Sequence, residues 1–172
     1  GGDFMPIIYG LAPVIKINTE ILLVGTLPGT LSLQTRKYYA DPRNNFWRIL
    51  ERIYKEDMPS DYPSRCTYLL NRKIGIWDVL KCAYREGATD KRISNAIIND
   101  YKAMVTHYPS LRKIVILGTT ADKYYEKGIR QSKIPQDLQH IIVQSSSPTP
   151  GKNVLLLDQK IIQWKTAILS SE

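Results

Sequence analysis

Asp41 and Asn44 stand three residues apart in Y-Y-A-D-P-R-N-N-F-W at 38–47, and together they offer what a hydrolytic site asks of side chains. An amide such as Asn44 orients a water by hydrogen bonding, and a carboxylate such as Asp41 can take its proton. The pair also has a plain structural reading. Asp is a favoured helix N-cap and Pro suits the first helical position, so Asp41-Pro42 would open a helix carrying Phe46. Asn44 would then lie in the first turn, beside a partly positive terminus, either satisfying local backbone or projecting into a crevice beside Gly25. For Asp41, capping is the stronger reading. Tyr38 and Tyr39 precede this turn in a polar stretch poorly suited to core, where an unstacked nucleobase would lie well on one of the rings. Phe46 and Trp47 read as core.

Upstream, G-T-L-P-G at 25–29 lets backbone approach a ligand closely. It lacks the Lys of a G-x-x-x-x-G-K-[ST] phosphate loop and does not match G-x-G-x-x-G, so neither a nucleoside triphosphate nor a dinucleotide has its fingerprint here. Ser145, Ser146 and Ser147 lack a G-x-S-x-G elbow, and the two histidines, His107 and His140, read as structural or surface residues. Ser146, Ser147 and Pro148 form instead a small rigid loop before a helix start at Lys152-Asn153. Hydroxyls and backbone N–H groups there suit phosphate contact, although an ordinary strand-to-helix turn has the same composition.

These residues need elements to hold them. Three short apolar runs, 21–24, 114–117 and 141–143, have the length and β-branched content of buried strands, and each ends in small residues. A fourth candidate strand is 66–70. Helical spacing joins Phe46, Leu50, Ile53 and Tyr54, and again Val154, Leu157, Ile161, Trp164 and Ile168. The stretch 93–108 also reads as helix, with Ile97, Tyr101, Met104 and Val105 inward and Pro109 ending it. The Pro-rich, polar segment 57–64 reads as a surface loop. Strands alternating with helices imply a mostly parallel sheet with right-handed crossovers, whose ligands bind at the carboxyl ends of the strands. The three small-residue loops should therefore converge on one crevice.

The 172 residues fit a single domain, 43% of them hydrophobic, enough to bury a real core. With 24 Lys plus Arg against 16 Asp plus Glu, the net charge of +8 favours a polyanionic partner through phosphate neutralisation and counterion release, although scattered surface lysines give the same count. Cys66 and Cys82 lack metal-type spacing and sit among apolar residues, so buried free thiols in a reducing cytoplasm are expected. No run approaches the ~18 apolar residues of a membrane span, and the start has no signal-peptide pattern. Met5 reads as the natural start, with residues 1–4 an appended remnant.

Several spaced motifs together resemble the uracil-DNA glycosylase superfamily, most closely its hypoxanthine (deoxyinosine) DNA glycosylase branch. That branch carries G-[ST]-x-P-G after the first strand and Y-Y-x-H-P-R-N-x-F-W beyond it, matched here at 25–29 and 38–47. G-I-W-D-V-L at 75–80, R-E-G-A-T-D at 85–90, N-D-Y at 99–101 and S-S-S-P at 145–148 follow in the family's order. Three positions depart from the pattern. Asp41 replaces the usual His, Pro150 stands near an Asn, and Leu27 occupies the place where mismatch-specific relatives carry a catalytic Asn.

The resemblance implies an α/β fold, a three-layer α/β/α sandwich around a central, mostly parallel four-stranded sheet, with no metal and no cofactor. By position it assigns Asn44 as the catalytic asparagine and Tyr39 as the aromatic that stacks on the extruded base. Gly25, Thr26, Leu27 and Pro28 become the water-holding loop, and Ser145, Ser146, Ser147 and Pro148 the loop that compresses the DNA strand. Arg43 and Lys152, cations beside these segments, are expected to contact DNA as well. The resemblance implies action on double-stranded DNA that contains a damaged or mismatched base; a monomer away from any membrane is expected. Hydrolysis of the N-glycosidic bond passes through an oxocarbenium-like state, so it needs a positioned water and stabilisation of the departing base. Apart from Lys37 the motif loops hold no lysine, which favours a monofunctional glycosylase. Two rivals stay open: a lesion-binding protein of the same fold that has lost catalysis, and an enzyme acting on small nucleotides.

Overall fold

The computed structural model describes residues 6–87 and 92–171. The expectations about residues 1–5, and the match at 88–90 within R-E-G-A-T-D, lie outside the described residues. Four parallel strands run in the order β3-β2-β6-β7. They are β2 (Ile21–Gly25), β3 (Ile74–Asp78), β6 (Lys113–Leu117) and β7 (Gln139–Val143). The central strands β2 and β6 are buried at every position, as unbroken I-L-L-V and I-V-I-L runs require when both sheet faces are covered.

Period-two alternation divides those runs between two cores. Ile21, Leu23, Ile76, Val115 and Leu117 pack with Phe46, Ile49 and Leu50 of α2 (Phe46–Tyr54) and with Trp164 and Ile168 of α6 (Leu157–Leu169). Leu22, Val24, Ile114 and Ile116 face the other way, toward Tyr101 and Met104 of α4 (Tyr101–His107) and Ala121 and Tyr125 of α5 (Thr119–Arg130). Helices therefore cover both faces of the sheet, giving three layers. Each fully buried Leu or Ile contributes about 1.5–3 kcal/mol, and the zero exposure of Leu22, Leu23 and Val24 in β2, matched by Ile114, Val115 and Ile116 in β6, anchors both central strands firmly.

A second sheet of three antiparallel strands, in the order β1-β4-β5, had no counterpart in the sequence reading. It comprises β1 (Ile7–Tyr9), β4 (Leu80–Arg85) and β5 (Ile93–Ile98). Residues 93–98 thus pair with β4 rather than opening a helix, and Ile97 is 46% exposed on that sheet instead of facing inward. The break falls where Asp100 caps α4 by accepting from the Ala103 N–H at 3.0 Å.

Other expectations also change. Residues 66–70 are helical, inside α3 (Tyr62–Asn71), because Asp61 caps that helix and Pro63 occupies its first turn; the fourth parallel strand is β3 instead. The same cap shortens the expected loop at 57–64, in which Met58 is moreover buried. β7 lies at the sheet edge, so Ile141 and Ile142 are exposed and only Val143 is buried. α6 begins at Leu157, leaving Lys152, Asn153 and Val154 in an exposed loop. Cys82 is buried and Cys66 half-buried, both as free thiols. Among the described residues no helix is long and apolar enough to cross a membrane.

Candidate active site

The carboxyl ends of β2 and β3 meet in register, Gly25 opposite Asp78. The pairing runs on into the loop, where Val79 N–H donates to Gly25 O at 2.8 Å and Leu80 N–H to Thr26 O at 3.2 Å. Gly25, Thr26, Leu27 and Pro28 are consequently all buried. The Leu27 side chain belongs to the apolar cluster with Val79 and Leu80, so this residue offers only its main chain to a ligand. Gly25 has a specific reason to be glycine: a Cβ there would lie 2.7 Å from the Tyr39 Oη and 2.9 Å from the Asp78 Oδ1. Those two side chains converge over the glycine.

Asp78 was not singled out from the sequence, although a carboxylate ending an apolar strand, G-I-W-D, is the kind of residue seldom buried without a reason. It is 4% exposed. Its carbonyl accepts from Asn99 Nδ2 and Tyr101 Oη, both at 2.9 Å, which gives the N-D-Y motif its work: Asn99 and Tyr101 fix the end of β3 while Asp100 caps α4. Burial, and secondly the nearby Asp78 charge, push the Tyr101 hydroxyl well above its ordinary value.

Tyr38 and Tyr39 have opposite fates. Tyr38 is 3% exposed, its hydroxyl bound to the carbonyls of Leu11 and Ala12 and its N–H to Tyr62 Oη, so the expectation that neither tyrosine is core fails for it. Tyr39 is half-buried and lies flat on Phe46, with centroids 3.8 Å apart and planes 6° from parallel. Its φ of +55° is in the left-handed region that non-glycine residues seldom occupy, and the stack together with the contacts of its hydroxyl end holds it there. Tyr39 also borders a hollow of about 340 Å³ lined with Leu31, Trp47, Tyr62 and Arg65.

Asp41 does not open α2. Its carboxylate takes the Arg43 guanidinium in a fork, 3.1 Å to Nε and 2.8 Å to Nη2, and accepts from the Arg43 N–H at 2.9 Å. These bonds hold the Asp41 carboxyl down at about 2. The turn they close is completed by Asn44 N–H to Asp41 O, and Asn45 is the residue that precedes α2. Asn44 Oδ1 accepts from the Phe46 N–H at 2.9 Å. Phe46 therefore serves two candidate site residues at once, its ring backing Tyr39 and its N–H orienting the Asn44 amide.

The loop after β7 joins the same edge. Asn45 N–H donates to Ser146 O at 3.0 Å, tying the segment of Asn44 to that loop. Gly118, at φ +106°, brings the end of β6 so close that a Cβ would sit 3.1 Å from the Ser145 Cβ. Ser146 is 2% exposed and Pro148 is exposed. Lys160, which the sequence reading passed over, is buried and donates to Ser145 O at 2.9 Å and Ser147 O at 3.1 Å. The glycine loop, Tyr39, Asn44 and the serine loop are thus linked at one sheet edge, while Arg43 and Lys152 stand in solvent. His107 and His140 lie elsewhere, bonded through Nδ1 to the carbonyls of Ala103 and Leu138. Among the described residues no His, Cys, Asp and Glu side chains gather in threes as metal ligands.

Residues 12–160 match the family model described as the uracil DNA glycosylase superfamily. The chain is similar to the hypoxanthine DNA glycosylase of Methanosarcina barkeri, 40% identical over 116 residues, and to that of Methanosarcina acetivorans, 36% identical over 116. Both matches cover 67% of this chain and 73% of the relative. Among solved structures it is similar to the solution NMR structure of a Methanosarcina acetivorans protein whose proposed identity is uracil DNA glycosylase. The TM-score is 0.78 and the identity 30%, over 95% of this chain and 97% of that one.

Proposed function

The chain belongs to the uracil-DNA glycosylase superfamily, and on that premise we propose that it is a monofunctional DNA glycosylase that removes a deaminated base from duplex DNA. The preferred base is hypoxanthine, as in the names of the two curated relatives, with uracil second. In this reading it acts as a monomer in the cytoplasm. The observation that carries the reading is the double duty of Phe46, which couples a stacking ring beside Gly25 to an oriented amide.

In this reading the basic chain binds duplex and the damaged nucleotide swings out, its base resting on the Tyr39 ring face turned away from Phe46. Stacking offsets part of the few kcal/mol lost in unstacking. Asn44 Oδ1 has one lone pair engaged by the Phe46 N–H and a second to accept a hydrogen from water, which turns a water lone pair toward the sugar carbon C1′. The N–H groups of Thr26 and Leu27 donate to a carbonyl of the leaving base as charge builds on it. Asp41, committed to Arg43, shapes the turn and leaves proton transfer to solvent.

The test is alkali-revealed strand cleavage of labelled duplexes carrying hypoxanthine, uracil or a G·T mismatch, with the wild type beside Asn44→Ala. Cleavage of the hypoxanthine duplex by the wild type alone supports the reading. Salt-sensitive binding of every duplex without base release would replace it with a catalytically lapsed lesion binder.

A further inference from the structure

Lys160 combines three features that ordinarily count against a lysine. It is 4% exposed, among the described residues no carboxylate lies within ion-pair distance, and it sits in the first turn of α6, where the helix dipole disfavours a cation. The acidic side chain of that turn, Asp158, pairs instead with Arg52 at 3.1 Å. What Lys160 Nζ does contact is the carbonyl pair Ser145 O and Ser147 O, at 2.9 and 3.1 Å. The intervening Ser146 O is taken by the Asn45 N–H. Three successive carbonyls of the loop are thus drawn into the protein.

We propose that Lys160 is a positioning residue for the DNA backbone: by turning these carbonyls inward it leaves the loop's N–H groups, with its own charge behind them, to a phosphate of the bound strand. The proposal rests on the DNA glycosylase reading above. A backbone loop whose oxygens faced outward would repel a phosphate, whereas outward N–H groups above a buried ammonium attract one. The phosphate supplies the negative charge that the protein does not place beside Lys160. Because Ser146 is bonded to Asn45, the same clamp sets how the strand sits relative to Asn44.

The experiment compares Lys160→Met and Lys160→Arg with wild type in three readouts: thermal midpoint, dissociation constant of a hypoxanthine duplex across a salt series, and single-turnover base release at saturating enzyme. In Lys160→Met, duplex affinity should fall about tenfold and the slope of log affinity against log salt should become shallower by about 1, the signature of one lost phosphate contact. Base release at saturation should fall as well, because the tie of Ser146 to Asn45 sets how the strand sits beside Asn44, and Lys160→Arg should regain most of both the affinity and the release. A folded Lys160→Met with wild-type affinity and slope overturns the proposal. If that variant does not fold, Lys160→Gln against Lys160→Arg decides, measured below both midpoints: tighter binding by Arg supports it, equal binding overturns it. Duplex binding needs no catalysis, so absence of base release by the wild type would refute the glycosylase reading while leaving this comparison interpretable.

Discussion

The ring of Tyr39 lies against that of Phe46 at 3.8 Å and 6°, so one face of Tyr39 is covered by the core and its hydroxyl end reaches the space above Gly25. A base stacked on the other face would complete a three-layer sandwich. Tyr39→Leu should lower kcat/KM for a hypoxanthine duplex by about 5- to 150-fold, the equivalent of roughly 1–3 kcal/mol of stacking. Tyr39→Phe keeps the stacking surface and should retain most activity. Equal losses in the two variants would point to the hydroxyl beside Asp78 and away from stacking.

Asn44→Ala removes the amide oxygen held by the Phe46 N–H. Base release at saturation should drop by about 10²–10⁴-fold, the range for loss of a group that acts on a reacting water. One helix-terminal N–H loses its acceptor, so stability should fall by only about 1 kcal/mol. Chemical denaturation beside single-turnover kinetics separates the two effects, and near-wild-type release would sink the assignment.

For Gly25→Ala the geometry is specific. The new methyl would meet the Tyr39 Oη at 2.7 Å and the Asp78 Oδ1 at 2.9 Å, both ends of side chains that can swing aside. The fold should lose about 1 kcal/mol or less, since no backbone is struck, while base release falls about tenfold or more as the stacking ring is displaced. A large drop in thermal midpoint with unimpaired release by the folded fraction would contradict this division.

Asp41 provides a prediction about pH. Its carboxyl is held at about 2, below the ordinary 3.8, first by the side-chain bonds to Arg43 and next by the Arg43 N–H. A depressed carboxylate contributes stability that is present above the unfolded value and lost as pH falls through the folded one. Its charge therefore does not change between pH 4 and 8, and any acid limb of kcat/KM in that window belongs to another group. Asp41→Asn should keep activity within about threefold and leave the profile's shape unchanged. A loss beyond 100-fold, or a shifted limb, would make Asp41 the base after all.

Much of this was legible along the chain. The runs at 21–24 and 114–117 read as doubly covered strands, because their short length, β-branched content and the glycine that follows each favour strand over helix, and helical spacing put Phe46, Leu50 and Ile53 on one buried face. The superfamily motifs located Gly25, Tyr39, Asn44 and the serine loop by local residue type alone. Residues 66–70 misled because periodicity in a short apolar stretch fits strand or helix, and a side chain outside the window, Asp61, decided it. Residues 93–98 misled because their partner, β4, is reached only through tertiary pairing.

The sequence by itself determined which segments match the superfamily's motifs and that two of them, 25–29 and 145–148, follow parallel strands, since periodicity, glycine and proline act within a few residues. Only the tertiary structure decided which neighbours those segments acquire. That Tyr38 is buried and Tyr39 is left to stack depends on the carbonyls of Leu11 and Ala12 and on the Phe46 ring. The convergence of Asp78 on Gly25 depends on strand register, and the clamp of Lys160 on Ser145 and Ser147 on how α6 packs beside β7. Contacts between residues distant in the chain are fixed by packing and strand pairing, which no local pattern of residues records.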